Sequence, residues 1–261
     1  MGVHLRLGII ETDNWLREDR MNPVAICDRL KHLFSNEDPE EIYRFLQNHG
    51  MYTKAMRLDP LVDKMTEEKV WIRAKSILNK LQKGWNGPDI PVYIFPLRSS
   101  GFLSRALESK SGLAFADKLF LFIKPDISDI ELKALIIHEY HHVCRLKQYK
   151  KSEWEYTLLD SMVMEGLAEH TVKHYLGKKG LAQWTSLYQD SELEKLWNSY
   201  IKENTSIKRD TRLHDKLLVG RAPYPKMLGY SMGYYLVRKA EPFEIKHSFS
   251  IESKKFIEGI I

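Results

Sequence analysis

The chain has 261 residues, 43% hydrophobic, 29% charged and 11% aromatic, a balance that excludes a disordered polypeptide and is enough for one large domain or a catalytic domain with a helical extension. Its net charge of +5 comes from 40 basic against 35 acidic residues scattered along the chain, which excludes a polybasic nucleic-acid stripe. Two cysteines without CxxC spacing exclude a disulfide framework, and no apolar run approaches the roughly 20 residues of a membrane span. The N-terminal apolar stretch is too short for a secretory signal, so a cytoplasmic protein without nucleic-acid or membrane partners is expected.

The first 60 residues read as helical, in VAICDRLKHLF and in EEIYRFLQ, the second opened by Asp38 with Pro39 at the first helical position. TEEKVWIRAKSILNKLQKGW predicts a longer amphipathic helix from near Thr66, closing at GWNGPDIP. The pattern then changes: PVYIFPL reads as a strand, Ser99 to Gly112 as a loop, and AFADKLFLFIK as the best strand, apolar without interruption from Leu119 to Ile123. Two helices follow. Each has a capping box, Ser128 with Glu131 and Ser152 with Glu155, and the second helix closes at Gly177. Ile130, Ala134 and Ile137 set the inward face of the first. The basic cluster Lys147, Lys150 and Lys151 reads as a solvated helix end that complements the helix dipole. A polar stretch bearing Trp and Tyr runs to about residue 205, and the final helix, KMLGYSMGYYLVRKA, stops before Pro242. The order predicts an α+β fold, with residues 1–85 as an N-terminal helical region and 86–261 as the catalytic domain.

The chemistry concentrates in IIHEYHHVC. His138 and His142 are four residues apart, so both imidazoles lie on one helix face, a turn apart, as two ligands of one tetrahedral zinc require. Glu139 stands beside the first ligand, where it would take a proton from a water activated by the metal. His141 competes with His142 only by leaving that register, and is expected near the ligands or at the surface. Cys144 is expected in the core. The next helix carries MEGLAEH, in which Glu165 offers a hard oxygen for zinc and Gly166 allows two helix backbones to approach closely around the metal. Glu169, one turn on, is the competing carboxylate. Asp160 and Glu169 suit the orientation of ligand imidazoles.

HEYHH followed by EGLAE resembles the gluzincin zinc metallopeptidases, and is more closely similar to a bacterial family of predicted zinc-dependent proteases, from about Ile90 to Ala240. The resemblance implies a zincin-like fold, a small mixed sheet over the HExxH helix, with LFLF as the edge strand that pairs with an extended peptide. It implies one Zn2+ per chain held by His138, His142 and Glu165, with Glu139 as general base. It also implies an oxyanion donor, for which Tyr230 is preferred over Tyr234, Tyr235 and His214. The chain has no G-x-M-E-N segment, which favours an endopeptidase or oligopeptidase acting on peptide or protein substrates. The competing reading is a non-catalytic zinc-containing module that binds a peptide or protein, its fourth ligand supplied by His141, His170 or Glu169.

Overall fold

A computed structural model of the chain describes residues 7–258 apart from Arg20, Ala55 and 99–109, so most of the expected Ser99-to-Gly112 loop lies outside the described residues. The helices α1 (Thr12–Glu18), α2 (Pro23–Arg29), α3 (Pro39–Asn48), α4 (Asp59–Glu67) and α5 (Val70–Trp85) precede the strands β1 (Val92–Pro96), β2 (Lys110–Ala114) and β3 (Leu119–Ile123). Then come α6 (Asp129–Gln148), α7 (Leu158–Leu176), α8 (Asp190–Leu196), α9 (Arg212–Val219), α10 (Leu228–Lys239) and α11 (Ile245–Ser248). The class is α+β, as expected. Contacts divide the chain into two compact units, Met1–Tyr140 and His141–Ile261, and α6 runs through the division.

In the first unit the three strands form one mixed sheet in the order β1-β3-β2, with β3 parallel to β1 and antiparallel to β2. LFLF is therefore the central strand and not the edge. The correction follows from its composition, since all five residues of β3 are buried, as a strand with neighbours on both sides and cover on both faces must be. AFADKLFLFIK is likewise two elements. Ala114 ends β2, and a tight turn closed by Phe115 N–H on the Lys118 carbonyl (3.0 Å) leads into β3. The outer edge of β1 is partly covered, because Ile9 forms a parallel bridge with Val92. The outer edge of β2 has no strand beside it among the described residues.

Side chains alternate across the sheet. Tyr93, Phe95, Phe120 and Phe122 point into a core with Leu16, Ile26, Leu30, Ile42 and Leu46 of the N-terminal helices. Each such fully buried side chain contributes about 2 kcal/mol by its removal from water. The alternate positions, Leu119, Leu121 and Ile123, are equally buried on the opposite face. Asp38 caps α3 as expected, accepting from Glu40 N–H at 2.8 Å with Pro39 behind it. The long helix expected from Thr66 is broken: α4 ends at Glu67, Lys69 turns left-handed at φ 53°, and α5 begins at Val70. Ile130 on α6 is 43% exposed, so it is not part of the inward face.

The second unit is helical. Its core joins Leu158, Met162, Val163 and Leu167 of α7 to Leu228, Met232 and Leu236 of α10, with Trp197, Leu217 and Phe256. α7 and α10 cross in backbone contact. A Cβ added to Gly166 would strike the Gly233 carbonyl, and one added to Gly233 would strike that of Met162. Gly166 thus permits a close helix approach, and its partner is α10, which carries none of the three candidate donors. The last helix is also not α10, since α11 and a 3-10 turn at Ser253–Phe256 follow it. Among the described residues no helix is long and apolar enough to cross a membrane.

Candidate metal centre

α6 starts as the sequence indicates. Ser128 N–H donates to the Glu131 carboxylate at 3.0 Å, and Glu131 N–H donates back to Ser128 Oγ at 3.2 Å. That reciprocal cap, about 1 kcal/mol, sets the register in which His138 and His142 share a face. α7 starts five residues later than expected. Ser152 and Glu155 close only a 3-10 turn, with Ser152 N–H on Glu155 Oε2 at 3.1 Å. The cap that opens α7 is Thr157 with Asp160: Thr157 N–H reaches Asp160 Oδ2 at 2.9 Å, and Asp160 N–H reaches Thr157 Oγ1 at 3.4 Å. α7 ends where Gly177 turns to φ 63°, as expected.

His138, His142 and Glu165 come together with one ligand atom each, all within 4.8 Å of one another. His142 Nε2 and Glu165 Oε1 are 3.6 Å apart. Donors about 2.0–2.2 Å from a shared ion at tetrahedral angles lie roughly 3.4 Å from each other. Two imidazole nitrogens and a carboxylate oxygen, half-buried to buried, are a donor set suited to zinc. This set leaves a fourth position for a water or substrate oxygen.

Glu169, the competing carboxylate, is 3% exposed and accepts from Ala182 N–H, outside this group of three. Asp160 does not turn to an imidazole. Its oxygens receive Thr157, Lys151 Nζ at 2.6 Å and Ser253 Oγ at 2.7 Å. Burial would raise its pKa, but the hydrogen bonds from Lys151, Ser253 and Thr157 outweigh burial and hold it below the ordinary carboxylate value. Lys151 is thereby an internal partner and not only part of a solvated helix end. His141 is fully buried, which excludes the surface position. Its Nε2 lies 2.9 Å from Ser248 Oγ, and its ring meets Phe249 edge-on. His170 lies against Glu241, with Nδ1 at 2.6 Å from Oε1. Cys27 and Cys144 are both buried, and burial pushes the Cys27 thiol up to about 12.

Glu139 is 9% exposed and packs on the sheet at Gly112, where an added Cβ would overlap its Cγ, Cδ and Oε1. Tyr230 is half-buried, its ring 5.3 Å from that of Trp184. Its rivals have other settings. Tyr235 donates to Glu194 Oε1 at 3.0 Å, and burial together with that carboxylate raises it to about 12. Tyr234 is 7% exposed and also pushed up to about 12, mainly by burial. His214 Nε2 lies 2.9 Å from Ser161 Oγ.

Two features of the site region are not evident from the sequence. Gly112 is one: the sequence places it at the end of a loop, and it stands inside β2. The other is Arg145, one turn beyond His142. It is 1% exposed and donates to the carbonyls of Ser248 (2.7 Å) and Ile251 (2.9 Å) and to Ser253 Oγ (3.2 Å). Nothing in its local pattern separates it from the basic residues that follow.

A family model described as "Predicted Zn-dependent protease (DUF2268)" matches residues 70–258, a wider span than the resemblance from Ile90 to Ala240. The chain is also 35% identical over 266 aligned residues to YjaZ of Bacillus subtilis (strain 168), itself described as uncharacterized, covering 98% of this chain and 100% of that protein. No solved structure matches the chain. With its match over most of the length and its relative aligned end to end, the chain belongs to this family of predicted Zn-dependent proteases.

Proposed function

We propose that the protein is a zinc-dependent peptidase in which His138, His142 and Glu165 hold one metal ion and Glu139 is the general base. The observation that carries this reading is the convergence of the three donor atoms within 4.8 Å, with a carboxylate next in sequence to the first of them. Zinc bound there supplies Lewis acidity, which polarises a substrate carbonyl and brings a water's pKa towards neutrality. Glu139 accepts the proton as water attacks the peptide carbonyl, then delivers it to the leaving amine. Tyr230, half-buried against Trp184, donates a hydrogen bond to the oxyanion.

The substrate lies extended along the outer edge of β2, where backbone groups can pair with it. This moves the docking edge from LFLF to the strand that touches Glu139. We take the fold to be zincin-like, residues 86–261 to be the catalytic domain, and the activity to be that of an endopeptidase or oligopeptidase. A cytoplasmic location suits the two buried thiols. A catalytic centre is favoured over a closed structural one because the candidate fourth ligands are engaged elsewhere: His141 with Ser248, Glu169 with Ala182 and His170 with Glu241.

Glu139→Gln should retain one zinc per chain and lose peptide hydrolysis by a factor of about 10³, as loss of a positioned base does. Zinc content by elemental analysis and digestion of a peptide library read both halves of this expectation. Unchanged hydrolysis by Glu139→Gln would remove the assignment.

A further inference from the structure

We infer that Gly112 is a positioning residue for Glu139: the bare Cα of this β2 residue is the slot in which the carboxylate rests against the edge strand. Gly112 pairs in register with Leu121, and so lies on the face of the sheet opposite to Phe120 and Phe122. On that face an added Cβ would occupy the space of three Glu139 atoms, Cγ, Cδ and Oε1.

Glycines serve two different needs, and the two can be separated here. One is a backbone with positive φ, as at Gly177 and Gly220. Gly112 is not among the positive-φ glycines, and its backbone is that of an ordinary strand, which any residue adopts. The need is therefore for space. What fills the space is a side chain, so alanine at 112 leaves the strand intact and displaces the carboxylate. A glycine in a strand interior otherwise only weakens the strand. The position is thus occupied by a residue that weakens the strand and leaves Glu139 most room.

The functional consequence rests on the proposed role of Glu139 as base. A peptide paired with the β2 edge at Gly112 has its backbone beside that carboxylate, and the absence of a side chain fixes how closely base and substrate strand approach. A displacement of about an ångström in such a group costs on the order of a hundredfold in rate.

The test uses two readouts. In the zinc-loaded full-length protein, Gly112→Ala should lower kcat on a peptide substrate roughly a hundredfold, with KM and zinc stoichiometry unchanged. In the zinc-free protein, Tm is measured for wild type, Gly112→Ala, Glu139→Ala and the double variant. The change at 112 should be more favourable in the Glu139→Ala background, by about 2 °C or more, because the overlap is gone. If Gly112→Ala alone fails to fold and the double variant folds, that is the same coupling at its limit. Equal Tm changes in the two backgrounds, or folding failure in both, would overturn the inference. So would a wild-type kcat in Gly112→Ala. If the wild-type protein cleaves no peptide, the peptidase reading fails, and the thermal coupling still decides whether Gly112 holds Glu139.

Discussion

The two helices that carry the candidate metal donors reach their geometry by different routes. α6 supplies two donors through local spacing alone: a reciprocal cap at Ser128 sets the register, and the helical period puts His138 and His142 on one face. α7 supplies one donor, Glu165, and the helix is held by what surrounds it. Gly166 lies on the backbone of α10, Glu169 is held by Ala182, and Asp160 is tied to Ser253 of the C-terminal segment. A ligand pair inside one helix needs only that helix to form. A ligand from a second helix needs tertiary packing to bring it in. The second kind of placement should therefore be the more fragile, and substitutions on the two helices can break or sharpen that contrast.

The largest effect is expected at the crossing of α7 and α10. Alanine is the better helix former by about 1 kcal/mol, so Gly166→Ala would stabilise an isolated helix. Here its Cβ meets the backbone carbonyl of Gly233, which cannot rotate away as a side chain can. We expect a net loss of about 3 kcal/mol in denaturant unfolding, together with weaker zinc binding. The control is Lys133→Ala, at an exposed site on α6, which should stay within about 0.5 kcal/mol of wild type. A Gly166→Ala protein as stable as wild type would show that α7 and α10 are not held by this contact.

A smaller effect with a distinct pH signature is expected at Asp160. Its folded-state pKa is depressed, so its contribution is fully present above the unfolded value, near 3.8, and is lost as pH falls through the folded pKa. Asp160→Asn should therefore cost about 2 kcal/mol at neutral pH, the scale of hydrogen bonds to a charged group. The difference from wild type should shrink below about pH 4, as the wild-type carboxyl becomes neutral too. Urea midpoints of both proteins across the acid range measure this. A deficit that stays constant to the lowest pH would show that the charge of Asp160 contributes nothing.

The same contrast explains what could be read from the sequence. The α+β order, the Ser128 cap, the strand at Val92–Pro96 and the His138–His142 register are matters of local pattern and spacing, and each was legible. Glu165 stands with the two histidines and Glu169 does not, and that proximity depends on packing that no window of sequence contains. LFLF is a buried strand, as expected, but a central one, because continuous apolarity reports burial and not which neighbour lies beside it. The AFADK turn was hidden for a related reason, since Phe115 is apolar yet stands in the turn that joins two strands. Arg145 and the C-terminal segment were not legible at all: the residues that enclose Arg145, Ser248 to Ser253, lie about a hundred positions further along the chain.

The start of α7 offers the finest test of local against tertiary signals, because two capping boxes compete there within nine residues of sequence, Ser152 to Asp160. Ser152-x-x-Glu155 has the better residue types for a box, a serine and a glutamate. Thr157-x-x-Asp160 is the box that caps the helix, because Asp160 is also held by Lys151 and Ser253, which lie outside the motif. Thr157→Ala removes the hydroxyl that receives Asp160 N–H and that donates to Asp160 Oδ2, and should cost about 1 kcal/mol. Ser152→Ala keeps the backbone N–H that meets Glu155, so it should cost no more than about 0.5 kcal/mol. Both are read from urea midpoints at neutral pH. If the order were reversed, the helix would begin at Ser152 in solution. Glu165 would then lie a further turn and a half from its N-terminus, and the dependence of α7 on its tertiary partners would have to be given up.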